Sequence, residues 1–485
     1  MSDRSDRDRS DGGFEGSSGD GDGMISPGTM LGILSGLLVV IADPPTADHG
    51  FTVVDASATR ASDPPTWNGE VADIIERRCV TCHASGGVGP FELVDAAGVR
   101  NRGRFLLEVI DGGRMPPWLP AGSAWMDHRT VTPVERAKLA AWLEGGGPVG
   151  DGPPRTLVPP GPPSFRSDVV LDMPDAYVIP EESDPAWHAG EIDVHGVTFS
   201  LGNATPLRVR AIRHRPASPQ AMRVAAFAFD DTGAGRYLDE RDSRVGFLMG
   251  GDPGIKPMGA DGVILAGSGD FRLPPGFHVP VPVESDLVTQ FQYRPTGMPE
   301  RLQERIEMEL VPAAEASRPI RWLPLAVGRI DLAAGATQRV SSDPIELEHP
   351  LELLGISPRA IELCRSLRVV VEFPDGRFRT LVDIPDWDHH QRETMRFRDP
   401  VVLPAGSRLQ ATFELDNTPE NPRNPDDPPR RVNRGRRTGL LSATLHVAAR
   451  SVEGDRYLRA VGPASIRDLR RGEQRRRLGP GVPIP

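Results

Sequence analysis

The sequence predicts a multidomain protein in which a small all-α domain precedes two all-β sandwich domains, and three observations carry that prediction. At roughly 150 residues per domain, the 485 residues amount to about three domains. Helical periodicity is confined to residues 68–144, whereas period-2 alternation of apolar and polar residues dominates from 167 onward. Glycine and proline, 52 and 50 residues, are about a fifth of the chain, which favours short strands and turns over a helical bundle.

Each helical element has its own signal. Asn68 to Arg78 places Val71, Ile74 and Ile75 at helical spacing, and Asp95 to Asp111 puts Leu106, Val109 and Ile110 on one face. Thr132-Pro133-Val134-Glu135 supplies an N-cap, a proline at the first helical position and a capping-box glutamate. The helix it opens turns Leu139, Trp142 and Leu143 inward and stops at Gly145 to Gly147. Residues 145–163, dominated by glycine and proline, read as a semi-stiff spacer without a core of its own. After it, Leu207 to Arg210, Leu287 to Arg294 and Ile306 to Leu310 alternate as half-buried strands. Leu367 to Val371 and Arg377 to Ile384 flank a Pro374-Asp375-Gly376 turn as a hairpin.

Charge and composition exclude several functions. The net charge of -11 argues against a nucleic-acid partner, which needs a basic surface. The only lysines, Lys138 in a helical pattern and Lys256 in a Gly/Pro loop, leave no P-loop and little scope for Schiff-base chemistry. Three cysteines cannot build a disulfide scaffold. Residues 1–23 are too polar to form a core, so either they are disordered or the true start is Met24 or Met30. Leu31 to Ala42 is a 12-residue apolar run, too short to span a bilayer, that reads as a signal-peptide core; a buried strand or uncleaved anchor is the alternative. The expectation is an exported protein of the periplasm or cell envelope, with residues 1–63 as its leader.

Cys79-Val80-Thr81-Cys82-His83 is the strongest chemical signal. Two thiols at this spacing can each add to a vinyl group of one haem while the adjacent imidazole reaches the iron from the same turn, giving covalent haem c with His83 as proximal ligand. Zinc would need four ligands, and the remaining cysteine, Cys364, is remote; a redox dithiol would want βαβ flanks. For the sixth iron ligand, Met115 stands in Arg114-Met115-Pro116-Pro117-Trp118, where two prolines hold an extended loop; Met126 and His128 are its rivals.

The stretches CVTCHASGGVGPFELVDAAG, GGRMPPW and VTPVERAKLAAWLEGGGPVGD resemble the cytochrome c domain that precedes a copper type II, ascorbate-dependent monooxygenase-like region in exported bacterial proteins. The resemblance implies an all-α cytochrome c domain over residues 64–151 with Met115 as axial ligand. Further on, DVVLDMPDAYVIP at Asp168 to Pro180, LPPG at 273–276, QFQYRPTG at Gln290 to Gly297 and LDNTPENPRNPDDPPRRVNRG at Leu415 to Gly435 are similar to the paired jelly-roll-like β-sandwiches of peptidylglycine α-hydroxylating monooxygenase. That implies sandwiches at 167–311 and 319–450, a linker at 152–166 and a basic tail at 451–485.

Such enzymes hold two copper ions through imidazoles and a thioether. Here the corresponding positions fall on Arg223, Val224 and Gln292 in the first sandwich and on Arg359, Ile361 and near Ser442 in the second. A guanidinium is a permanent cation with no lone pair to offer, so copper is not expected. His389-His390 is a candidate for a relocated site, but adjacent strand side chains face opposite ways, and His188, His195 and His278 share no ligand spacing. Asp230-Asp231 and Asp426-Asp427 open no calcium loop, and Arg467 to Arg477 reads as a solvated tail.

The reading that results is an exported mono-haem electron carrier without catalytic residues, attached to a copper-free β platform. Its partner is a redox protein or a small electron donor or acceptor. A copper monooxygenase with a rearranged site and a haem-based sensor or envelope binding protein are the alternatives.

Overall fold

The computed structural model describes residues 64–462 except 118–119, 121–123, 127–128, 160–163, 180–192, 244, 249–262, 267–269, 328–329, 390–392 and 434–440. The leader, Lys256, His128, His188, His390 and the Arg467 to Arg477 run lie outside the described residues. Among the described residues no helix is long and apolar enough to cross a membrane.

The helices form where their local signals place them. A π-turn at Trp67–Val71 runs into α1 (Ala72–Arg78), α2 spans Ala96–Asp111 behind the Asp95 cap, and α3 spans Pro133–Glu144. The capping box of α3 is present in both directions: Glu135 N–H donates to Thr132 Oγ1 and Thr132 N–H to Glu135 Oε2. The apolar faces of these helices meet in a small core of Trp67, Ile74, Ile75, Leu106, Leu139 and Trp142, with the two indole centroids 5.9 Å apart.

The β part is two face-to-face sandwiches fused through one long sheet. Its strands lie in the order Val169–Asp172, Arg305–Leu310, Leu207–Arg215, Phe277–Val281, Arg318–Val327, Leu441–Ala449, Leu351–Arg359, Met395–Leu403. All contacts along it are antiparallel save one, where Arg318 and Pro319 pair in parallel with Phe277 and His278 and join the two halves. A second sheet built on Asp193–Ser200, Asp286–Tyr293 and Met222–Asp230 covers the first half; one built on Arg408–Asp416, Cys364–Glu372 and Phe378–Ile384 covers the second. The foreseen hairpin forms, with Gly376 at φ 80°, a conformation that glycine adopts without a Cβ penalty, and Asp375 accepting from Arg377 N–H at the turn.

Among the described residues there is no separate all-α domain, and the expected fold class is corrected on that point. The described residues, from 64 to 462, belong to one compact unit that is mostly β. Between α2 and α3, Trp125 and the described residues beside it pair with the β structure. Trp125 forms a β-bridge with Phe397 and stacks on it at 4.5 Å between centroids, inside the core of the second sandwich. Met126 N–H donates to the Arg396 carbonyl, Arg398 N–H donates to that of Ala124, and Arg129 pairs with Glu393. The Gly/Pro stretch likewise packs back onto the helices. Trp67 Nε1 donates to the Arg155 carbonyl, Trp142 Nε1 to that of Pro148, and Leu157 N–H to that of Val94. The segment keeps a small core of its own and adds to it by burying Trp125 in the core of the second sandwich.

Candidate functional site

The C-V-T-C-H turn is the C-terminal extension of α1. Cys79 N–H donates to the Ile75 carbonyl, and the N–H groups of Cys82 and His83 both donate to the Cys79 carbonyl, so the three side chains leave one continuous turn. Both cysteines are free thiols. Burial, with Cys82 close by, pushes the Cys79 thiol up to about 12, and burial also raises Cys82 against the pull of Arg129.

His83 is buried and oriented. Its Nδ1 lies 2.9 Å from the Phe91 carbonyl, which fixes the proton on Nδ1 and leaves Nε2 as the lone-pair nitrogen. The Phe91 ring packs on the imidazole at 4.7 Å. Gly89 lets the chain pass close, since a Cβ there would lie 2.6 Å from Nδ1. Burial lowers the basicity of His83, so the imidazole is neutral at neutral pH, the form that ligates a metal.

Met115 follows α2, with its N–H donating to the Val109 carbonyl and its side chain 38% exposed. No described contact joins it to the C-V-T-C-H turn. Met126, half-exposed, lies on the strand at Arg396, and Cys364 is buried in the second sandwich.

The expectation of a helical haem-binding, metal-binding domain is corrected here as well. The helical segment is part of the larger β unit. Among the described residues no group of three or more His, Cys, Asp or Glu side chains converges as a metal site requires. The expected candidates for a relocated site are dispersed. His195 stacks on Tyr177 at 4.2 Å, His278 Nδ1 meets Ser317 Oγ at 2.8 Å, and His389 faces Glu362 at 3.8 Å. Asp230 accepts from Thr232 and Gly235 N–H groups as a local cap, and Asp426 pairs with Arg430 at 3.9 Å.

Positions far apart in sequence that the resemblance assigns to copper are neighbours in the sheets. Val224 lies opposite Gln292, and Arg359 lies opposite Ser442. Val224, Gln292 and Ser442 are buried, while burial and the nearby Arg294 guanidinium lower the Arg223 pKa. Ile361 is buried in the core of the second sandwich.

Two buried polar clusters had no signal in the sequence. His214 pairs with Glu304, both fully buried, beside Tyr293. In the second sandwich His446 Nε2 meets Ser357 Oγ at 2.8 Å, and Ser357 meets Thr394 at 2.9 Å. His446 also lines a cleft with Met126, Phe271, Leu354, Arg396 and Phe397, beside a register shift at Leu353 to Gly355. Alternation alone could not single these residues out, because their partners come from other strands.

No protein-family model matches the chain, and no curated protein matches it. Solved structures with some likeness include the STIV MCP, at 10% identity over 52% of this chain and 97% of that one, with a TM-score of 0.21. A putative α-L-fucosidase from Bacteroides ovatus matches at 10% identity over 65% of this chain and 43% of its own, TM-score 0.15, and the PBCV-1 virus capsid at 8% over 60% and 97%, TM-score 0.17. Likenesses this weak carry no argument about fold or function.

Proposed function

We propose that this is an exported one-electron carrier that holds a single haem covalently through Cys79 and Cys82, with His83 on the iron, on a segment docked to a β platform. The observation that carries the reading is the His83 imidazole, buried, neutral and held by the Phe91 carbonyl so that Nε2 is the ligating nitrogen, one residue after two unpaired thiols.

The donor set fits a haem better than a bare ion. Two thiols and an imidazole that leave one turn suit a flat macrocycle, whose two vinyl groups and iron are separate targets. When bound, the haem supplies a reversible one-electron Fe(III)/Fe(II) couple. The chain's own part is to hold Nε2 in place, exclude water with Phe91 and present the thiols to the attachment machinery. Met115 is the sixth-ligand candidate. The β platform, with Arg223, Gln292, Arg359 and Ser442 where copper ligands would stand, works without copper and docks the segment.

The test is a reduced-minus-oxidised spectrum of protein matured in a host that attaches c-type haem, with copper quantified on the same sample. A covalent haem spectrum lost in Cys79→Ala/Cys82→Ala, with copper well below one per chain, is the expected result. Absence of covalent haem, or two tightly held copper ions, would overturn it.

A further inference from the structure

We infer that the exposed elbow in the middle of α2, centred on Arg100, Arg102 and Arg104, is the docking surface for an acidic redox protein. This inference rests on the electron-carrier reading above.

The elbow has a sequence cause. Gly103 breaks the helix with φ 47° and ψ -126°, a conformation closed to residues with a Cβ. Asn101, Arg102, Arg104 and Phe105 are exposed around it, and so is Arg100. Phe105 is 48% exposed, which gives the cationic rim an apolar centre.

The charge on this elbow is uncompensated locally. The Arg100 guanidinium donates to the Gly147 carbonyl, and Arg102 lies 3.8 Å above the Phe91 ring; neither contact is with a carboxylate. Residues 96–107 contain no acidic residue. On neighbouring elements Asp95 is engaged as the α2 cap, Asp111 pairs with Arg136 and Glu135 with Arg78, while Glu92, Glu108 and Glu144 are exposed and none is paired with the three arginines. In a chain of net charge -11, such a concentration of positive charge stands out from its surroundings. It also adjoins the proposed redox site: Arg102 covers Phe91, whose ring packs on His83 and whose carbonyl orients it. A partner with an acidic face would therefore be steered to the residues nearest the iron ligand.

The test uses the full, haem-loaded chain and two oxidants of opposite charge. Ferrous haem passes one electron to hexacyanoferrate(III), giving ferric haem and hexacyanoferrate(II), or to tris(phenanthroline)cobalt(III), giving the cobalt(II) complex. At low salt the anionic oxidant is expected to react about tenfold or more faster than the charge-reversed variant Arg100→Glu/Arg102→Glu/Arg104→Glu allows, an advantage that vanishes at high salt. The cationic oxidant should show the opposite order.

Deca-glutamate, standing in for the partner's acidic face, should bind the wild-type chain at low salt and not the variant, haem or no haem. Equal rates with equal salt dependence in both proteins, or equal peptide binding, would overturn the inference. So would a variant whose haem spectrum changes, since the arginines would then be holding the haem itself. Failure of haem attachment in the wild type overturns the electron-carrier reading, and the peptide titration still decides whether the elbow is an acid-binding face.

Discussion

Arg359 faces Ser442 across the antiparallel ladder between Leu351–Arg359 and Leu441–Ala449, as Val224 faces Gln292 in the first sandwich. Residues about 80 and 70 positions apart are thus brought side by side, and in the copper-free reading proposed above they stand where the resemblance puts copper ligands. Arg359→His, Ile361→His and Ser442→Met together should restore a donor set. Competition with a Cu(I) chelator is expected to reveal binding in the triple variant that the parent lacks, and equal affinities would show that the alignment is misplaced.

Gly89 touches the orienting hydrogen bond of His83. In Gly89→Ala the new methyl collides with Nδ1, so the ring or the loop must move. Overpacking of this kind costs about 1–3 kcal/mol. Thermal unfolding of the haem-loaded protein should show a lower midpoint together with a perturbed Soret band, whereas an unchanged spectrum would remove Gly89 from the support of His83.

Trp125 ties the segment to the second sandwich. Replacing it by alanine removes a fully packed indole from that core, a loss of about 3–5 kcal/mol. Hydrogen exchange should rise both in residues 124–129 and in the strand Met395–Leu403. Protection unchanged in that strand would mean that the segment folds independently of the platform.

His446 makes stability depend on pH. Burial holds its pKa down at about 3, while the unfolded imidazole protonates near 6.5. Between those values the unfolded chain binds a proton that the folded chain refuses, so stability falls as pH falls, by up to about 1.4 kcal/mol per pH unit from this one residue. Above about pH 6.5 the contribution is flat. Urea unfolding from pH 7.5 to 4.5 should show a shallower slope in His446→Gln than in the parent, and parallel curves would contradict the assignment.

Glu304 and His214 are paired and fully buried. Glu304→Ala should cost about 1–3 kcal/mol, because the buried hydrogen bond between them is lost from the core of the first sandwich. Denaturant midpoints decide it, with a change below about 0.5 kcal/mol, the size of a surface substitution, as the contrary outcome.

The local features of this protein were legible in its sequence. The Thr132 to Glu135 capping box, the Pro374 to Gly376 turn and the positions of the strands are fixed by neighbours a few residues away, so their signals sit within one short window. The C-V-T-C-H turn is legible for the same reason: its thiols and imidazole need only five consecutive residues. The strand at Asp286–Tyr293, by contrast, expected to be half-buried, is buried on both faces between two partner strands. Tertiary structure alone decided that the helices do not stand apart, because whether Trp125 packs within its own segment or against Phe397, 272 positions later, depends on which surface completes a core. It alone also joined the two sandwiches into one sheet through Arg318 and Phe277, and enclosed the His214–Glu304 and Ser357–His446 pairs. Burial is a property of the assembled chain: the pattern shows that a residue will be inside, and only the fold shows which distant residue it meets there.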